Sequence, residues 1–127
     1  MKKIINTPQA PAPIGPYNQA VKVGNVIYVS GQIALDPNSG DLKTSSIEEE
    51  TQLVMENLGA ILKEAGSSYS EIVKCTIFIR NMSEFVKING VYGSYFESDF
   101  PARETVEVSR LPKDVNVEIS CIALSKD

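Results

Sequence analysis

From Ile47 the small and apolar positions recur at Thr51, Val54, Leu58, Ile61 and Ala65. Steps of three and four residues set these positions on one face of a helix, because a helical turn takes about 3.6 residues. Ser46-Ile47-Glu48-Glu49 matches a capping box and Gly66 supplies a left-handed stop, so the pattern predicts a helix over residues 46–65. Phe85, Ile88, Tyr92, Tyr95 and Phe96 return to helical spacing, with Ser83 placed to cap the first turn. A second helix is predicted over residues 83–98.

Elsewhere the pattern is that of strands. The runs 19–23 and 26–30 flank Gly24-Asn25, a dipeptide that tolerates the positive φ of a tight hairpin turn. Asp36-Pro37-Asn38-Ser39-Gly40 is a second turn, which leaves residues 31–35 as a short extended continuation. The β-rich run from Glu71 to Arg80 suits a central strand. Residues 105–109 and 115–121 alternate about a turn at Leu111-Pro112-Lys113-Asp114. Between Thr7 and Pro16, four prolines deny the backbone most ladder donors, so an ordered loop is expected there.

The order is therefore ββ, α, β, α, ββ. Strand pairs separated by only two helices imply an α+β fold, with both helices packed on one face of a mixed sheet. The bare face then needs a cover, and in a chain of 127 residues, read as one domain over 1–127, a second copy of the chain is the natural candidate.

Composition narrows the chemistry. A formal charge of −4, with basic residues scattered singly apart from Lys2-Lys3, has the wrong sign for a phosphate-binding surface, so nucleic acid is a poor partner. No apolar run approaches the roughly 20 residues of a membrane span. The opening Met1 to Pro8 lacks the apolar core of a signal peptide, which points to the cytoplasm. Cys75 and Cys121 each sit in an apolar strand-like run and read as small buried hydrophobes. With 0 histidines, a Cys–His nucleophile, an imidazole triad and the usual zinc sites are excluded, and no GxGxxG or P-loop is present. General acid–base work falls to carboxylates, tyrosine, lysine or water.

Only Arg80, Arg103 and Arg110 carry guanidinium groups. Arg80 and Arg110 close strands beside turns and read as surface charges. Arg103 lies in a strand-like run, with Thr105, Glu107 and Ser109 on its face, where a planar fork held on a rigid element suits bidentate capture of a small carboxylate; a structural ion pair is the alternative. Glu118 interrupts the apolar alternation of Val117, Ile119 and Cys121 from the opposite face. If residues 111–114 form a simple hairpin, Glu118 pairs near Glu107 and lies roughly 13 Å along the strand from Arg103. The two would then meet most easily across a subunit boundary. Tyr17 and Ser30 bracket the first hairpin, Gly31 permits close backbone approach, and Asn89 sits beside the apolar stripe of the second helix.

Taken together, Ala12-Pro13-Ile14-Gly15-Pro16-Tyr17, Ser30-Gly31-Gln32-Ile33, Pro101-Ala102-Arg103 and Val106-Glu107-Val108-Ser109-Arg110-Leu111-Pro112-Lys113-Asp114, ending in Val117-Glu118-Ile119, resemble the RidA (YjgF) family over essentially the whole chain. The resemblance implies a chorismate-mutase-like fold assembled as a homotrimer, with clefts between neighbouring subunits. It implies hydrolysis of reactive 2-enamino and 2-imino acids to 2-keto acids and ammonia, with no metal or organic cofactor. Carried over by position, Arg103 binds the substrate carboxylate, Glu118 positions or activates water, and Tyr17, Ser30, Gly31, Asn89 and Thr105 line the cleft. Members similar to the bacterial archetype often have Ser or Thr directly after the arginine and Cys two positions after it; here these are Glu104 and Thr105. Alternation points Glu104 away from Arg103, and were it to reach Arg103 it would compete with substrate. Two other activities remain open: a non-catalytic trimer holding small ligands, and an RNA-cleaving translation inhibitor, which the negative charge opposes.

Overall fold

Gly24 turns the chain at φ 63°, a left-handed value that costs glycine nothing sterically, and Val23 pairs with Val26 across it. This hairpin belongs to a computed structural model that describes residues 1–126. The strands are β1 (Lys2–Ile5), β2 (Ala20–Val23), β3 (Val26–Gln32), β4 (Ile72–Ile79), β5 (Ala102–Glu107) and β6 (Val117–Leu124); the helices are α1 (Ile47–Glu64) and α2 (Phe85–Gly93). One sheet forms in the order β1-β2-β3-β6-β4-β5. Its neighbours are antiparallel except β4 and β5, which run parallel because α2 carries the chain back between them. The mixed α+β architecture is the expected one.

Helix α1 forms where its periodicity placed it, and the Ser46 hydroxyl accepts a hydrogen bond from Glu49 N at 3.1 Å. Val54, Met55, Leu58, Ile61 and Leu62 are buried, and with Ile27, Cys75, Ile77, Ile119 and Cys121 from the sheet they form the core. Each fully buried aliphatic side chain of this kind contributes about 1.5–3 kcal/mol. Cys75 and Cys121, paired in register, are free thiols inside that core, as anticipated.

Three details depart from the pattern. Strand β1 has only two apolar residues, too few to register as a strand, yet it completes the edge beside β2. The second helix covers only Phe85–Gly93, after a 3-10 turn at Met82–Glu84 that Asn81, rather than Ser83, caps through its side chain. Tyr95 and Phe96 still pack against the core, but from beyond the helix end.

The third departure matters most. Residues 105–109 and 115–121 do not form a hairpin: the strand holding Arg103 begins at Ala102, and β4 lies between it and β6. Burial explains the order. Strand β6 alternates buried Val117, Ile119, Cys121 and Ala123 with half-buried neighbours, whereas β5 buries none of its residues. The apolar strand takes the centre and the polar one the edge, since unpaired polar groups are costly inside a sheet. Lys113 and Asp114, both at positive φ, shape the turn that leads into β6.

Glu50 anchors that turn from the other side of the core. It lies in the first turn of α1 at 0% exposure. Its carboxylate accepts from Asn116 N at 2.7 Å, Asn116 Nδ2 at 2.8 Å and Val117 N at 3.2 Å. A buried carboxylate survives only when so satisfied. Glu50→Gln turns one acceptor into a donor that faces donors, and is expected to lower unfolding free energy by about 2 kcal/mol, read as a reduced urea midpoint with an unchanged slope.

Candidate functional site

Arg103 is the second residue of β5 and pairs in register with Cys75, so its side chain leaves the sheet on the helix-covered face. There it meets α2. Its Nη1 donates to Asn89 Oδ1 at 2.6 Å, and its guanidinium carbon lies 5.1 Å from the Tyr92 ring centre and 5.4 Å from that of Phe85. Among the described residues, no carboxylate pairs with it. One of five N–H donors is used, and the charge stays available at the wall of a cleft of about 430 Å³ lined by Asn89, Tyr92, Gly93, Phe100, Pro101 and Arg103.

The other two arginines lie elsewhere, at the turn before β6. Arg110 Nε pairs with the Asp114 carboxylate at 2.8 Å, which holds that carboxyl below its ordinary range, and Arg80 Nη1 donates to the Asp114 carbonyl at 3.3 Å. Glu104 leaves β5 on the opposite face from Arg103, where it pairs with Lys74 Nζ at 3.3 Å and accepts from Thr76 Oγ1 at 3.4 Å. It does not compete for Arg103.

Beneath Arg103 lie two buried hydroxyls, Thr105 Oγ1 and Tyr92 Oη, without a hydrogen-bond partner that meets normal geometry. Burial, then contact with the Cys75 thiol, pushes the Tyr92 phenol above its usual range, so it stays protonated. Tyr92 and Phe85 escaped the sequence reading because aromatics at helical spacing are indistinguishable there from ordinary core residues, and Phe100 because it lies in the loop beyond the predicted helix.

Glu118 is paired in register with Phe78 and so leaves the sheet on the face without helices. It is half-buried, and desolvation raises its pKa. Its carboxyl group lies against the backbone of Gly31, where an added Cβ would come within 2.8 Å of the carboxyl carbon and push the Glu118 side chain aside. Gly31 sits in the stretch of β3 where the pairing with β6 shifts register. Beside it, Ser30 Oγ donates to Asn18 O at 2.7 Å, and Tyr17 shares a small cavity of about 40 Å³ with Gln19 and Gly31.

Two groups of residues therefore stand apart. Arg103, Asn89 and Thr105 gather on one face; Glu118 leaves by the other, in the middle of the sheet where β6 meets β3, with Gly31 against it and Ser30 and Tyr17 beside Gly31. Within one chain, Arg103 and Glu118 are offset by three residues of β4 and two strand spacings, roughly 10 Å each way, and they point to opposite faces.

The family described as endoribonuclease L-PSP matches residues 7–125. The chain belongs to the RidA (YjgF) family. A RutC family protein of Pyrococcus abyssi is 52% identical over 122 residues, which cover 96% of both chains. A protein of Dermatophagoides farinae named 2-iminobutanoate/2-iminopropanoate deaminase is 47% identical, covering 97% of this chain and 96% of its own. The crystal structure of the Rid family protein YyfA from Yersinia pestis superposes with a TM-score of 0.95 at 46% identity, over 98% of this chain and 99% of that one. The RidA resemblance read from the sequence thus holds over nearly the full length.

Within this RidA-family frame, Thr105 offers a direct check of the site's polar interior. Its buried hydroxyl is unpaired, so Thr105→Val, which keeps the shape and removes the oxygen, is expected to raise stability by about 1 kcal/mol. Thermal unfolding measures this; a lower midpoint would show that the hydroxyl has a partner in the folded protein.

Proposed function

We propose that the protein hydrolyses reactive 2-enamino and 2-imino acids, among them 2-aminoacrylate/2-iminopropanoate and 2-iminobutanoate, to 2-keto acids and ammonia. The observation that carries this reading is Arg103: a guanidinium held by an amide and two aromatic rings, with no carboxylate paired to it among the described residues. The names of relatives at 42–47% identity support the substrate class.

In this scheme Arg103 takes the substrate carboxylate through parallel N–H···O bonds, and Asn89 keeps the guanidinium plane in place. The enamine tautomerises to its imine, whose C2 is already electrophilic. Glu118, its proton affinity raised by burial, orients a water and accepts its proton as oxygen bonds to C2. The C=N electron pair passes to nitrogen, which takes that proton back to give the carbinolamine; its hydroxyl proton then passes through Glu118 to the amino nitrogen as the C–N bond breaks, so ammonia leaves and a 2-keto acid remains. Water and imine supply every atom, and the reaction as written draws on no metal or organic cofactor.

The site assembles between copies of the chain in a homotrimer, with Arg103, Asn89 and Thr105 from one and Glu118, Gly31, Ser30 and Tyr17 from its neighbour. Support comes from the opposite facing of Arg103 and Glu118 and from a sheet face that carries no helix yet presents Tyr28 and Val106 at 51% and 43% exposure. The chain acts as one domain in the cytoplasm; its two thiols are free, and among the described residues no helix is long and apolar enough to cross a membrane. Small 2-imino and 2-keto acids are its ligands rather than nucleic acid, in keeping with a charge of −4.

The test generates 2-iminobutanoate in situ with an amino-acid oxidase and traps it with semicarbazide. The wild type is expected to suppress semicarbazone formation. Arg103→Ala abolishes the suppression, and Glu118→Ala lowers the catalysed rate by about 100-fold or more while still binding 2-oxobutanoate. Binding with no effect on imine decay in any of the three would leave a ligand-holding protein in place of an enzyme.

A further inference from the structure

Phe85, Asn89 and Tyr92 stand at i, i+4 and i+7 of α2, so a single helical stripe presents two rings and one amide to Arg103. The two rings differ in how firmly they are set. Tyr92 is 4% exposed; its ring packs on Phe96 at 5.0 Å between centres, and Phe96 in turn packs on Phe100 at 6.1 Å. Tyr92 is therefore a buried ring set between Phe96 and the Arg103 guanidinium, whose carbon lies 5.1 Å from its centre. Phe85 is half-buried and closes the arginine from the start of the helix.

We propose that Tyr92, assisted by Phe85, is a positioning residue that fixes the Arg103 guanidinium for carboxylate capture while leaving its charge unspent. The inference rests on the deaminase reading for its substrate. A carboxylate in place of the rings would hold the guanidinium equally well but would neutralise it and compete with the incoming acid. An aromatic face attracts the cation through its quadrupole and offers no oxygen to occupy the N–H donors. The glutamate that adjoins Arg103 in the sequence is on the far face with Lys74, and the described residues that line the cleft beside the guanidinium are neutral. Tyr92 touches Arg103, not the reacting atoms, and its effect is on the order of the arginine rather than on chemistry.

The experiment measures Kd for 2-oxobutanoate by calorimetric titration, together with KM and kcat for 2-iminobutanoate, in Tyr92→Leu, Tyr92→Phe and Phe85→Leu. Tyr92→Leu is expected to raise Kd and KM together by about tenfold, with a smaller effect on kcat, as befits loss of a cation–π hold. Tyr92→Phe keeps the ring and restores most of that affinity. Phe85→Leu, which keeps an apolar side chain at a half-buried position packed against the core, raises both constants severalfold and decides the matter should Tyr92→Leu fail to fold. A purely structural role would change the folded fraction and leave KM and Kd of the folded protein where they were. Wild-type Kd in both leucine variants overturns the inference, as does a Tyr92→Phe variant as weak as Tyr92→Leu, since the phenol and not the ring would then be at work. If the wild type binds 2-oxobutanoate through Arg103 but leaves the imine untouched, the deaminase reading falls and Kd alone judges the positioning role. No Arg103-dependent binding in the wild type overturns both.

Discussion

The placement of β4 between β5 and β6 governs everything that can happen at the candidate site. Side chains alternate across a strand, and paired residues share a face. Because Arg103 is in register with Cys75 and Glu118 with Phe78, an odd number of residues along the same strand, the two leave the sheet on opposite sides. No rotamer change can bring them together in one chain. A site that uses both must be made by two copies, and the face without helices is where the second copy has room.

Charge bookkeeping inside the fold separates structural ions from available ones. Glu50 is fully buried and accepts from three N–H donors at the start of β6, whereas Glu118 is half-buried and accepts no hydrogen bond among the described residues. The first anchors the strand on which the second is mounted, two residues away. Among the arginines, Arg110 pairs with the Asp114 carboxylate and Arg80 donates to the Asp114 carbonyl, while among the described residues Arg103 meets an amide and two rings. Polar groups left unsatisfied in a well-packed protein are uncommon. Among the described residues the buried hydroxyls without a partner, those of Thr105 and Tyr92, lie beside Arg103.

Much of this was legible in the chain itself. The 3.6-residue periodicity and Ser46 cap located α1, Gly24 located the hairpin, and alternation assigned Arg103 and Glu104 to opposite faces. What failed was long-range. The alternation of residues 105–109 and 115–121 says that each is a strand, but it cannot say that another strand separates them; only the contrast between the polar β5 and the apolar β6 hinted at edge and centre. Tyr92 was visible as part of a helical stripe, yet nothing in its spacing revealed that the ring faces an arginine. The short β1 and the early end of α2 were lost for a simpler reason, since four residues or a final turn carry too little pattern to outweigh their neighbours.

The central claim, that Arg103 and Glu118 act together from different copies of the chain, is tested most directly by mixing two inactive variants. Arg103→Ala and Glu118→Ala are purified, unfolded together in equal amounts, refolded, and assayed for suppression of semicarbazone formation, with native mass spectrometry confirming mixed assemblies. Random assembly pairs an intact Arg103 with an intact Glu118 in about a quarter of the shared sites, so the mixture is expected to recover about a quarter of wild-type activity. Mixed assemblies as inactive as either parent would contradict the account, because a site contained in one chain cannot be rebuilt by its neighbour.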